Sequence, residues 1–164
     1  MEQAKYTTRV THLDEPGANG MEKTEFMLAA NPGLPPAPLR KIGSGGEISR
    51  VMLSLKSVLA SRDMIPTLVF DEIDVGLSGE TALRVGKLME TLSDSHQVLC
   101  VTHHAPIAAR AENHLSVRKN TVKKDTFTGM RVLRGDERLE EIARMMGGEA
   151  STDAGMKLAR QLMD

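Results

Sequence analysis

The spacing of apolar positions shifts along the chain, and each shift predicts a different element. From Lys5 to Leu13 (KYTTRVTHL) β-branched residues alternate with polar ones, and Glu22 to Ala30 (EKTEFMLAA) repeats the alternation beyond Pro16-Gly17-Ala18-Asn19-Gly20. Two strands joined by a turn follow from that pattern. Asn31 to Pro38 (NPGLPPAP) carries four prolines and a glycine, which excludes helix and predicts an extended connector. From Gly46 the period lengthens: Ile48, Val51, Met52, Leu55, Val58 and Leu59 fall on one face of a helix that ends before Pro66.

Thr67-Leu68-Val69-Phe70 then reads as a short apolar strand, of the kind found when helices cover both faces of a sheet. A second helical pattern runs from Gly79 to Leu92 (Ala82, Val85, Met89, Leu92) with Ser78 as N-cap, and Gln97 to Val101 is another apolar strand. Strand, helix, strand predicts a βαβ crossover and a parallel sheet. Asn113 to Val117 and Phe127 to Leu133 predict strands around a polar turn, and Glu137 to Met146 and Thr152 to Met163 predict closing helices. No internal repeat interrupts this order.

Composition narrows the setting. The 164 residues suit about one domain, and 3 Phe, 1 Tyr and no Trp against 11 Met predict an aliphatic, methionine-rich core. A net charge of −1 excludes attachment to nucleic acid or anionic lipid by bulk electrostatics, though not a local basic patch. The single Cys100 rules out an intrachain disulfide, no apolar run approaches a membrane span, and Met1 to Lys5 lacks a signal-peptide core. A soluble protein of the cytoplasm, with no membrane partner, is expected.

Three stretches carry chemistry. Leu68 to Phe70 leads into Asp71-Glu72, placing two carboxylates at the carboxyl edge of a parallel sheet, where ligands of α/β folds bind. The first acid can hold Mg²⁺ and the second can polarise an attacking water; taken alone, such acids are equally a solvated loop. Gly43-Ser44-Gly45-Gly46-Glu47 precedes the first long helix, so its glycines, hydroxyl and helix-start N–H groups suit phosphate. A lone stretch of this kind is more often a hinge with Ser44 as cap. Val101-Thr102-His103-His104 puts a histidine after the next strand, beside the acids, where it can meet a terminal phosphate.

Together and in this order the three stretches resemble the C-terminal lobe of an ABC-type ATPase head, with S-G-G-E as signature loop, Leu68 to Glu72 as Walker B strand and His103 as switch histidine. Transporter ATPases usually continue after the second acid with Pro and a Ser-Ala-Leu-Asp-like loop. Here Ile73-Asp74-Val75-Gly76-Leu77-Ser78-Gly79 follows, which is similar to the RecN family of bacterial SMC-like DNA repair proteins. Ser44 to Arg50, Gln97 to His103 and Arg138 to Gly148 agree with it, whereas His104-Ala105-Pro106 departs from the family's usual Leu-Pro.

The resemblance implies an α/β fold: the C-terminal lobe of an ABC/SMC-type P-loop NTPase head, a mainly parallel sheet flanked by helices, with an N-terminal β-hairpin. Residues 1–164 would form a single domain, with the hairpin over 1–30, the proline-rich connector over 31–38 and the signature, Walker B and switch unit over 39–164. It further implies ATP and Mg²⁺ as ligands: Glu72 and His103 catalytic, Asp71 on the metal, and Ser44, Gly45, Gly46, Glu47 and Asp74 on nucleotide. The implied partners are a second head, whose ATP the signature loop closes over in trans, and DNA bound through the whole protein, which would gather on the nucleoid after damage. A transporter ATPase subunit, or a structural head that binds nucleotide without turnover, are the competing assignments; the first lacks its Pro-containing loop and the second would lack Glu72.

No G-x-x-x-x-G-K-S/T stretch occurs in the chain. In SMC-like proteins that Walker A loop lies in an N-terminal lobe beyond a coiled coil, so the chain is expected to be the C-terminal piece of a longer protein with that lobe as partner. Among the remaining candidates, Arg118, Lys119, Lys123 and Lys124 read as a solvated hairpin tip before a DNA contact. Arg40 and Lys41 can approach nucleotide phosphate, Cys100 reads as core, and the histidines show no metal-ligand spacing.

Overall fold

The computed structural model describes residues 4–29, 33, 35–41, 44–60, 62, 64–122, 125–147 and 152–163. Strands β1 (Lys5–Gly17) and β2 (Gly20–Ala29) pair antiparallel from Lys5↔Ala29 to His12↔Glu22, then shift register before Gly17↔Gly20. The hairpin is longer than the alternation predicts because β1 runs on through Pro16. That proline is tolerated on an edge strand, within the irregular stretch between His12 and Gly17. Gly20, at φ +106°, supplies the turn. The end of the expected connector, Ala37–Pro38, adds β3 to β2, and a single 3₁₀ turn covers Leu39–Lys41. Asn31, Pro32 and Leu34 of that connector lie outside the described residues.

The crossover is present: β4 (Thr67–Phe70) and β5 (Gln97–Cys100) pair in parallel, joined through an intervening helix. Parallel pairing is confined to these strands among the described residues. Helix α1 (Gly45–Leu59) precedes β4, and α2 (Gly79–Ser93) crosses between the strands. All four apolar residues that set the α2 pattern, Ala82, Val85, Met89 and Leu92, are buried. They close on Leu68, Phe70, Leu53, Ile73 and Ile107 to form the first core.

Two expectations about burial are corrected. Leu68 and Phe70 face the core, but Val69 is 66% exposed and Leu99 and Val101 are exposed with it, so described helices cover the sheet on one side only. On α1 the predicted stripe is turned outward: Ile48, Met52, Leu55, Val58 and Leu59 are exposed, while Leu53, off the stripe, is fully buried. Periodicity finds the apolar stripe of α1 but cannot say which surface covers it, and Leu53 meets the core from among the polar positions Ser49, Arg50 and Ser57.

The rest of the chain forms a second core. Strands β6 (His114–Val122) and β7 (Asp125–Leu133) make an antiparallel hairpin, longer at the tip than the sequence predicts. The short α3 (Ala105–Ala108) and the closing helices α4 (Gly135–Met145) and α5 (Asp153–Met163) bury Ala105, Ala108, Ala109, Leu139, Ile142, Ala143 and Ala159 together.

Candidate functional site

The β4 strand ends at Phe70 and delivers Asp71 and Glu72, both exposed, at the carboxyl edge of the parallel pair. Asp71 accepts the Glu72 N–H at 2.9 Å, and the chain turns at Glu72, whose φ of +58° is the one positive value outside glycine among the described residues. Such a conformation costs a side-chain-bearing residue of order 1 kcal/mol and marks a place where surrounding structure dictates the backbone. The turn is closed by Val75 N–H donating to the Glu72 carbonyl at 3.2 Å.

The start of α1 is built onto this turn. Ser44 occupies the N-cap position in extended conformation, but its hydroxyl makes no capping bond. A side chain at Gly45 would overlap the Glu72 carboxylate; one at Gly46 would put its Cβ 2.9 Å from the Glu72 carbonyl and 3.2 Å from that of Val75. Ser49 Oγ donates to the Asp71 carbonyl at 3.0 Å, and Arg50 Nη1 donates to the carbonyls of Ile73 and Val75, each at 3.0 Å. Sequence inspection gave Ser49 and Arg50 no role. The available signal was their place, polar residues one turn beyond a glycine pair and off the apolar stripe of the helix. Glu47 lies half-buried in the first turn, near Arg50.

The second loop is tied to the first through Asp74. This carboxylate is 2% exposed and accepts the Thr102 hydroxyl at 2.6 Å and the His103 N–H at 2.8 Å, with the His103 Nδ1 at 3.1 Å. Burial opposes its ionisation, but those donors and the imidazole outweigh it and hold the carboxyl below its usual range. Expected on nucleotide, Asp74 instead faces inward and grips the histidine loop. The His103 side chain is 75% exposed, with its ring 4.7 Å from that of His104. The histidines show no ligand spacing in sequence, yet the fold brings donor atoms of Asp74, His103 and His104 within 4.8 Å of one another.

Other candidates stand apart from this edge. Arg40 is bonded to Glu25 of the first hairpin at 2.6 Å rather than turned to the α1 start. Arg118 is not a loose tip residue: it donates to Glu141 of α4 at 2.9 Å, and Glu141 also binds Arg144. Lys119 is exposed; Lys123, Lys124 and Gly43 lie outside the described residues. Cys100 is partly buried against the first core, and burial first, then the nearby Asp74 and Asp71 carboxylates, push its thiol up to about 12.

No family model matches the chain. It is 46% identical over 147 residues to the DNA repair protein RecN of Treponema pallidum, covering 90% of the chain and 26% of the relative. Against RecN of Xylella fastidiosa it is 46% identical over 92% of its length and 28% of the relative's, and against RecN of Haemophilus influenzae 42% over 100% and 30%. The chain belongs to the RecN family. Residues from this RecN-family chain span between a quarter and a third of the curated relatives they match. Its fold is that of the SMC ATPase head. An SMC ATPase from work on ATP-driven dimerization and DNA-stimulated activation superposes at TM-score 0.52 and 20% identity, over 86% of this chain and 81% of that one. The Smc head domain of Pyrococcus furiosus, bound to a ScpA C-terminal domain, gives 0.55 and 21%, over 87% and 33%. Among the described residues, no helix is long and apolar enough to cross a membrane.

Proposed function

We propose that the chain is part of the ATP-binding and hydrolysing head of an SMC-like, cytoplasmic DNA repair protein, supplying the signature loop, the Walker B acids and the switch histidine. The single observation that carries this reading is their physical continuity: the α1 start, the Asp71–Val75 turn and the Thr102–His104 loop are bonded into one edge. Asp71 is an exposed carboxylate at a strand end, a hard oxygen donor that fits Mg²⁺, which when bound neutralises charge on the transferring phosphate. Glu72 orients and polarises the attacking water. His103, held by Asp74 through Nδ1, turns its other nitrogen outward to the terminal phosphate. Asp74 therefore acts as a positioning residue.

In this reading ATP sits on the Walker A loop of an N-terminal lobe, and Ser44, Gly45, Gly46 and Glu47 close over the nucleotide of a second head. The exposed α1 stripe and the open side of β4–β5 fit the need for that lobe, since apolar surface of this extent is otherwise unstable in water. DNA acts through the assembled protein. The test uses the full-length protein: Glu72→Gln should keep ATP affinity and slow single-turnover hydrolysis at least about 100-fold, while Asp71→Asn should weaken Mg²⁺-dependent binding. In sedimentation with ATP, Ser44→Arg should abolish pairing of Glu72→Gln heads. Equal loss of affinity and rate in Glu72→Gln would overturn the base role, and undiminished pairing with Ser44→Arg would overturn the in-trans loop.

A further inference from the structure

We propose that Asp74, His103 and His104 form a binding site for a divalent transition metal of the zinc type. The donors come from two loops that the parallel sheet holds side by side: Phe70 pairs with Cys100, and the Val101 N–H donates to the Phe70 carbonyl at 3.0 Å. One ligand atom from each residue lies within 4.8 Å of the others. Ligands on a tetrahedral zinc at roughly 2.0–2.1 Å are about 3.3 Å apart, so closure asks for a shift of about 1.5 Å, within the swing of an imidazole that is 75% exposed.

Two imidazoles and one carboxylate are the donor set that zinc takes where a fourth position stays open, and a set that hard, all-oxygen cations such as Mg²⁺ disfavour. The support behind the ligands is already in place. Thr102 Oγ1 donates to Asp74 and accepts the His104 N–H at 3.0 Å, while the His103 N–H binds Asp74 directly. One hydroxyl and one carboxylate thus fix the backbone of both histidines, the outer-shell arrangement that orients metal ligands. The exposed His103 ring gives the ion its entry path and leaves the fourth position to water. Zinc here would occupy the imidazole that the proposed function turns toward phosphate, but the binding itself does not depend on that reading.

The experiment is a titration of the metal-free purified protein with Co²⁺, followed by its visible d–d absorption, and with Zn²⁺ in competition with a chromophoric chelator. One equivalent should bind. Affinity should fall at least tenfold in His104→Ala and in Asp74→Asn, and hold in His12→Ala, an exposed histidine on β1. Thermal melting checks that each variant folds; should His104→Ala melt early, His103→Ala, altered at an exposed ring, takes its place with the same expected loss. No absorption at one equivalent, or affinity in the folded histidine variant equal to that of the parent, overturns the site.

Discussion

The carboxylate of Glu72 occupies the space that a side chain on Gly45 would need, so an acid after one strand and the first turn of a helix constrain each other. At Gly46 the obstacle is backbone, the carbonyls of Glu72 and Val75, and cannot swing away. Gly46→Ala should therefore destabilise by about 1–3 kcal/mol. Gly45→Ala should be held back by the carboxylate alone, and in a Glu72→Ala background should recover up to about 1 kcal/mol of helix propensity. Urea denaturation of the four variants measures this; strict additivity of the changes at 45 and 72 would sink the coupling.

Strain at Glu72 makes a second prediction. Glycine adopts φ near +58° without penalty, so Glu72→Gly should leave the fold as stable or raise it by up to about 1 kcal/mol. The same change should remove ATP turnover from the full-length protein. A loss of more than about 1 kcal/mol would show that contacts of the side chain, not the backbone it imposes, dominate at this position.

The pH dependence of stability should carry the mark of Glu141. The Arg144 hydrogen bond lowers its proton affinity, burial opposes that, and the Arg118 bond adds to the lowering, leaving the carboxyl below its ordinary value. The folded state then binds fewer protons than the unfolded one, so its contribution is complete above the unfolded value of roughly 4.3 and fades as pH falls through the lowered folded value. Asp74 acts in the same direction. Glu141→Gln should flatten the acid limb of a stability profile taken from pH 6 to pH 3; an unchanged slope would remove the residue from the account.

Cys100 should be slow to react in the folded protein. With its thiol pushed up to about 12, little thiolate exists at pH 8, so alkylation should run well below the rate of an exposed thiol and rise when denaturant is added. Labelling of the native protein as fast as that of the denatured chain would contradict the partly buried placement.

The order of elements was legible because most of them bury one face. α2 carries its buried residues at helical spacing, and β4 and β5 are short apolar runs between turn signals. The edge of β4, and with it Asp71 and Glu72, could be placed from those runs alone. The orientation of α1 could not, since the stripe that periodicity selects is exposed and the buried Leu53 lies among polar positions on the other side. Nor could the Asp74 bond to the His103 N–H, which joins residues 29 positions apart through a sheet register that no local pattern encodes. Arg118 was misplaced for a simpler reason: the hairpin extends to Val122, which moves position 118 from the tip to mid-strand, facing α4.

The brevity of α3 has a mechanical consequence. Within its single turn Ile107 belongs to the first core, while Ala105 and Ala108 belong to the second, and Arg138 of α4 holds the carbonyls of Ala109 and Ala111 just beyond it. It is an axle shared by two bodies, with His103 and His104 at its root. Rotation of α4 would pull through Arg138 on the carbonyls of Ala109 and Ala111, and so on the turn that begins at His104.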